Sequence, residues 1–476
     1  MREAARRPAA LVLLALVLAA LTLALPWALA FDPWSWLVWG RDVTRLELDT
    51  SGGPSWKPLP VVATTVLAAA GGLAPALWLV LARAAGLLAV AGAAALALRL
   101  ADDNGARPVR HAEDRWAAPK AAPADDEGVR PLCHAVPAAV AAGGAVVASE
   151  WWLLNTALGN SEGLLAAAVL WAAVAHLAGR PRVALACGVA AALLRPEAWP
   201  FLGLYALWLW RGACVRPVPL AVALAPVPLL WFGPDLLGTG GALGASSAAR
   251  GPASPQSAIY ADVPGLEVLT DFAGLLTVPV LLAAVAGTVV GGRAVRVLAA
   301  GAAGWVLLVA VMTQAGYAGN PRYNVAAAAV GCVVAGVGVA ALAARVASRL
   351  AWAAAVALPA AVLAFTAGTL ADQADELGAR ADRRTQLDAL VDRAGGAQAI
   401  RACGSIRTNQ PMKAMLAWRL DVPMATLADP PRRPGAVFSV PPGYAGEPAT
   451  PTVEPGFQPV ARVGEWLLVA SCEGGY

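Results

Sequence analysis

Eleven times along its 476 residues the chain enters an apolar run dominated by Ala, Leu and Val. A bilayer offers no water to backbone polar groups, so such runs span it only as helices. The first run extends from the basic opening MREAARR to Ala30. The others occupy approximately 76–101, 133–149, 163–179, 183–194, 198–210, 217–237, 272–291, 297–314, 323–344 and 350–371. About 20 residues are needed for a full crossing, so the short pair 183–194 and 198–210 also fits a tilted or re-entrant hairpin. Segment 59–72 reads as a helix lying at the interface and ended by Gly71-Gly72. Ala28-Leu29-Ala30 looks like a cleavage site, but the run before it exceeds a signal h-region of about 7–15 residues, and a retained first helix is expected.

The composition agrees. Hydrophobic residues make up 59% and charged residues 14%, against about a quarter charged in soluble domains. A net charge of +4 with no basic block gives no footprint for nucleic acid. The expected fold is an all-α polytopic membrane bundle of about 11 helices (residues 1–371), followed by a small extracytoplasmic α/β domain (372–476).

Lys and Arg set the orientation, because they favour the cytoplasmic side. With the N-terminus inside, the inner segments hold 16 of them. The outer loops hold six: Arg41, Arg45, Lys57, Arg195, Arg250 and Arg322. The inner loop at 102–131 is rich in Ala, Pro, Asp and Glu and reads as a linker. In the tail, ADQADELGARADRRTQLDALVDRAGG reads as a helix, and AVFSV and EWLLVASC read as strands. Cys403 and Cys472 can pair if the tail faces an oxidising compartment, tying its first strand to its last. Cys133, Cys187, Cys214 and Cys332 lie in or beside apolar runs. His111, His134 and His176 lie too far apart in sequence for a metal motif.

Charges are costly near a membrane core, so where they gather points to function. Here they gather in the outer loops. The loop at 31–58 carries Asp32, Asp42 and Lys57; SEWWLLNTALGNSEG carries Glu150 and Glu162; RPE carries Arg195 and Glu197; and GNPRYN carries Arg322 and Tyr323. Each also has a structural use. Glu162 suits a helix N-terminus, Arg195 and Glu197 can pair with each other, and Trp34, Trp36, Trp39 and Trp56 suit an interfacial belt.

Over residues 8–371 the chain resembles the type-C (GT-C) membrane glycosyltransferases, the superfamily that includes protein O-mannosyltransferases, lipid A aminoarabinose transferases and actinobacterial mannosyl- and arabinosyltransferases. The resemblance rests on Asp32 directly after the first helix, the Lys57-Pro58-Leu59-Pro60 loop end, Arg83 in LWLVLARAAGLLAV, and then GNSEG, LLRPEAW and a late PRY. It implies a polyprenyl-phosphate-linked sugar as donor, a glycan, lipid or protein as acceptor, and a catalytic role on the acceptor for Asp32. The paired acids familiar at that point are replaced here by Asp32-Pro33-Trp34.

The residue types suit that chemistry by themselves. A phosphate leaving group calls for Arg and Lys, and an acceptor hydroxyl calls for a carboxylate base. Asp42, Lys57, Glu150, Glu162, Arg195, Glu197, Arg322 and Tyr323 are the candidate substrate-binding residues. No motif demands a cofactor, although a carboxylate cluster suits Mg²⁺ or Mn²⁺. The other readings are a transporter or lipid flippase and a non-catalytic membrane scaffold. The expected location is the plasma membrane, with the C-terminal domain outside.

Overall fold

The computed structural model describes residues 2–103, 132–239, 241, 243–250, 257–427, 432–440 and 455–472. Nearly all of the expected linker 102–131, including His111, lies outside them.

The first helix, α1 (Arg2–Leu21), runs on through a 3₁₀ turn to Ala24. Leu25 is then extended at φ −89°, ψ 156°, as the residue before a proline favours, so the helix stops short of Ala30. Helix α2 (Phe31–Arg45) follows, and α3 (Pro58–Leu67) starts with prolines at its first turn, where the missing N–H costs nothing. A 3₁₀ stretch, Ala68–Leu73, breaks the helix at Gly71 (φ 55°, ψ −127°) before α4 (Ala74–Asp103). The rest of the first half consists of α5 (Leu132–Ala148), α6 (Glu150–Ala157), α7 (Glu162–Leu177) and α8 (Pro181–Ala192). Next come α9 (Trp199–Arg211), α10 (Pro217–Leu224), α11 (Pro226–Thr239) and a single turn, α12 (Gly244–Ala248). The last part of the bundle is α13 (Pro264–Val290), α14 (Arg293–Gln314), α15 (Val325–Val346) and α16 (Ser348–Arg393).

Among the described residues six helical segments are long and apolar enough to cross a membrane, or seven if the bent pair Ala135–Ala148 and Glu150–Ala157 forms one span. The chain is therefore a multi-pass membrane protein, but with fewer full-length spans than the 11 expected. Pro8–Ala24, Glu162–Leu177 and Pro181–Ala192 are apolar but short, and α9 has only 13 residues. Prolines and tight turns cut these runs below the length of a full crossing.

Helix α15 is the axis of the bundle. In its span 83% of the most apolar window is buried, against 22–44% for the other five. Small residues permit that. A Cβ on Gly338 would lie 2.5 Å from Gly287 Cα, and one on Gly336 would lie 2.7 Å from Ala142 N. Such close approach is how helices associate where lipid removes the hydrophobic drive. This packing fixes the PRYN turn at the head of α15.

Residues 31–58 differ from the open loop that their polar composition suggests. Most of the first half is α2, in which Trp36, Leu37, Val38 and Trp39 are buried. Thr64 Oγ1 donates to Trp36 O at 2.6 Å, and a Cβ on Gly40 would lie 2.5 Å from Thr64 Oγ1. Helix α2 is thus docked along α3.

The tail is continuous with the bundle, since α16 runs 46 residues from its apolar start into the charged stretch. Beyond it lie α17 (Gly396–Ala402), α18 (Lys413–Leu420) and a four-stranded mixed sheet of β1 (Ser405–Arg407), β2 (Gly435–Ser439), β3 (Gln458–Val463) and β4 (Trp466–Ser471). The order is β1-β2-β4-β3, with only β1 and β2 parallel. The sequence pattern marks β2 and β4, whose inward residues are apolar. It does not mark the three-residue β1 or the half-exposed β3. Cys403 and Cys472 form a disulfide across 69 residues of chain, which fits an extracytoplasmic domain.

Candidate functional site

Asp32 occupies the first turn of α2 and is 6% exposed. Arg322 Nη2 donates to its Oδ2 at 2.9 Å, and Lys57 Nζ approaches the same oxygen at 3.6 Å. Arg322 comes from the 3₁₀ turn Pro321–Asn324, whose cap Asn320 accepts from the Arg322 N–H. Lys57 immediately precedes α3, where its Nζ donates to Ser161 Oγ at 3.1 Å and lies 5.1 Å from the Trp36 ring centroid.

Glu162, the first residue of α7, joins the same cluster. Its Oε1 accepts from Arg195 Nη2 at 2.9 Å and lies 3.9 Å from Arg322 Nε and 4.0 Å from Lys57 Nζ. Arg195 is in the extended link between α8 and α9, with Glu197 at 3.8 Å and its guanidinium 4.0 Å from the Tyr323 ring centroid. Three cations and three carboxylates from five places in the chain thus form one buried network. Glu162 Oε2, Glu197 Oε2, Arg195 Nε, Arg322 Nε and Asn324 Oδ1 have no hydrogen-bond partner there, which leaves donors and acceptors for a ligand.

The charges alter each other's protonation. Burial pushes the Asp32 carboxyl up, but Arg322, Lys57 and Arg195 together outweigh it and hold the group below its ordinary value. Burial, reinforced by Arg195, brings the Lys57 ammonium down to about 8 against the pull of Glu162 and Asp32. At neutral pH Asp32 is therefore ionised and Lys57 is charged but close to titrating.

Asp32, Lys57, Glu162, Arg195, Glu197, Arg322 and Tyr323 meet in this network; Asp42 and Glu150 do not. Asp42 lies towards the other end of α2, 3.1 Å from Arg41 Nη2. Arg41 also donates to Val422 O at 2.8 Å and pairs with Asp421 at 3.0 Å, so this group binds α2 to the C-terminal domain. Glu150, at the start of α6, accepts from Thr369 at 2.9 Å and from Gln373, both on α16. Ser161 was not singled out from sequence, although it precedes Glu162 within the GNSEG signal. Among the described residues no three His, Cys, Asp or Glu side chains gather as a metal site requires, and the network's carboxylates meet Lys and Arg instead.

An apolar cleft of about 230 Å³ is lined by Trp199, Leu202, Leu224, Val227 and Phe232. Trp199 is only four residues beyond Arg195, and its indole N–H is held by Ala192 O at 3.0 Å. No known protein family, curated protein or solved structure matches the chain.

Proposed function

We propose that the protein is a membrane glycosyltransferase of the GT-C type, moving a sugar from a polyprenyl-phosphate carrier to an acceptor at the outer face of the plasma membrane. One observation carries this reading: Asp32, at 6% exposure, lies among three cations drawn from chain positions 57, 195 and 322. A carboxylate and phosphate-binding groups are the two requirements of the reaction. In this reading the lipid chain of the donor occupies the apolar cleft at Trp199, four residues beyond Arg195. The excess of inner Lys and Arg and the Cys403–Cys472 bridge support an inward N-terminus and an outer C-terminal domain.

In this reading the donor phosphate competes with Asp32 for Arg322 and Lys57. As those cations turn to the phosphate, Asp32 loses the charges that depress its basicity and becomes able to take a proton. The acceptor oxygen then attacks the anomeric carbon and its proton passes to Asp32. The bond from that carbon to the phosphate oxygen breaks, and the carrier leaves as polyprenyl phosphate, its charge held by Arg195 and Arg322.

The test is transfer from a labelled polyprenyl-phosphate sugar in proteoliposomes. Asp32→Asn is expected to lower the rate 100-fold or more, the usual scale for losing a general base. A rate within three-fold of wild type, in a variant that elutes as wild type does, removes Asp32 from the chemistry.

The equal number of carboxylates and cations favours a second reading, in which the network only locks the helices of a scaffold. In that case Asp32→Asn lowers stability, and the wild-type protein neither binds nor transfers a lipid-linked sugar.

A further inference from the structure

One carboxylate at the centre of the buried network has no part in the proposed reaction. Glu162 is 1% exposed, and its Oε1 faces all three cations. Arg195 Nη2 donates to it at 2.9 Å, Arg322 Nε lies at 3.9 Å and Lys57 Nζ at 4.0 Å. The other two carboxylates are less central: Asp32 meets Arg322 and Lys57, and Glu197 meets Arg195 at 3.8 Å. The cations that a donor phosphate needs therefore converge on a point that a side-chain oxygen already fills. Carboxylate and phosphate oxygens take the same N–H donors at similar distances.

Two features make Glu162 exchangeable. Its Oε2 is buried without a hydrogen-bond partner, so only one of its oxygens is held. The Arg322 side chain beside it is 28% exposed, against 6% for Arg195 and 7% for Lys57, so an incoming anion meets Arg322 first. Charge balance leads to the same exchange. With Glu162 in place, three cations offset Asp32, Glu162 and Glu197, and a further buried negative charge has no counter-charge. With Glu162 withdrawn, the cations exceed the two remaining carboxylates by one. That surplus matches the single charge of a diester that joins a sugar to a lipid through one phosphate.

We infer that Glu162 holds the place of the donor phosphate in the empty protein, and that an arriving phosphodiester displaces its carboxylate from Arg195, Arg322 and Lys57. The identity of that anion as a lipid-linked sugar rests on the glycosyltransferase reading; the anion site under Glu162 does not. Glu162 is in this sense a positioning residue. It keeps three mutually repelling cations aimed at one point until the ligand arrives.

Thermal unfolding of the full-length protein in detergent micelles, at pH 6 where Lys57 is protonated, tests the site with inorganic phosphate. Glu162→Ala removes the resident carboxylate. Its midpoint should rise by about 3 °C or more in phosphate relative to chloride of equal ionic strength, whereas the wild type should move by less than about 1 °C. Glu162→Gln, which keeps the shape of the side chain, gives an independent measure if Glu162→Ala does not fold. Its affinity for farnesyl methyl phosphate, a prenyl phosphodiester without a sugar, should exceed that of wild type at least ten-fold. Glu197→Gln removes an equal charge from the same network and should gain less than three-fold. No phosphate-dependent rise in Glu162→Ala, an equal rise in wild type, or equal gains from the two Gln variants overturns the inference. Sugar transfer by the wild type together with any of those results leaves the enzymatic reading standing. Conversely, a phosphate-stabilised Glu162→Ala, with no binding of the prenyl phosphodiester to wild type or Glu162→Gln, keeps the anion site and removes the lipid-linked donor.

Discussion

Asp32 and Asp42 lie ten residues apart on α2, about 15 Å along the helix axis, and both side chains are buried. Their carboxyl groups are shifted in opposite directions. At Asp42, burial outweighs the neighbouring Arg41 and raises the group above its ordinary value. At Asp32, burial is opposed by Arg322, Lys57 and Arg195, and the group is lowered. The difference lies in the number of cations and in what else those cations do. Arg41 divides its donors between Asp42 and the C-terminal domain, as a structural tie does. The cations around Asp32 keep Nε atoms without a hydrogen-bond partner on Arg195 and Arg322, whereas at the other end only Asp42 Oδ2 is left so. One end of the helix is fastened down and the other is open to exchange of partners.

The largest expected effect that sharpens this contrast is on stability. Arg322→Gln takes from buried Asp32 the cation hydrogen-bonded to it and leaves Lys57 at 3.6 Å, and breaking a buried pair in this way costs about 3–5 kcal/mol. Arg45→Gln, which loses a half-exposed pair with Asp421 at 2.9 Å, should cost under about 1 kcal/mol. Denaturant titration in micelles measures both, and similar losses would erase the distinction.

The next effect is on pH. Lys57 is charged below about 8, where the proposed function has it attract the donor phosphate. As pH rises through that value the ammonium loses its proton and the attraction with it. Affinity for a polyprenyl-phosphate sugar should therefore be level up to about pH 8 and then weaken by up to about ten-fold per pH unit. Lys57→Arg, whose guanidinium stays protonated, should remain level to pH 10. A wild-type profile flat across pH 8–10 would place the phosphate away from Lys57.

The smallest effect belongs to Asp42. Burial already opposes its charge, so Asp42→Asn should change stability by less than about 1 kcal/mol and transfer by less than two-fold, because Asn keeps an acceptor for Arg41. A larger loss of transfer would bring Asp42 into the site and collapse the contrast between the two ends of α2.

Much of the candidate site was legible before folding. Asp32, Lys57, Glu162, Arg195, Glu197, Arg322 and Tyr323 each stand beside an apolar run, where a charge has few places to go except the membrane boundary. Asp42 and Glu150 satisfy the same rule and yet bind other partners. Nothing in their local sequence separates them from the rest: Asp42 is set apart because its neighbour Arg41 ties it to Asp421 and Val422, and Glu150 because it accepts from Thr369 and Gln373, all more than 200 residues away. Helix α2 was hidden for a related reason: its buried tryptophans alternate with Ser35, Arg41 and Asp42, which read as loop until α3 and α18 cover them. The count of spans was overread because apolar composition shows where a helix prefers lipid and not where a proline or 3₁₀ turn ends it.

Composition and charge bias alone determined that this is a multi-pass membrane chain with its charged residues gathered between apolar segments, and that Cys403 and Cys472 were available to each other. These are additive properties, summed over residues without reference to neighbours. Which charges meet was decided only by tertiary packing. Asp32 and Arg322 are separated by 290 positions, and they touch because glycines let α15 settle at the centre of the bundle and bring its PRYN turn against the head of α2.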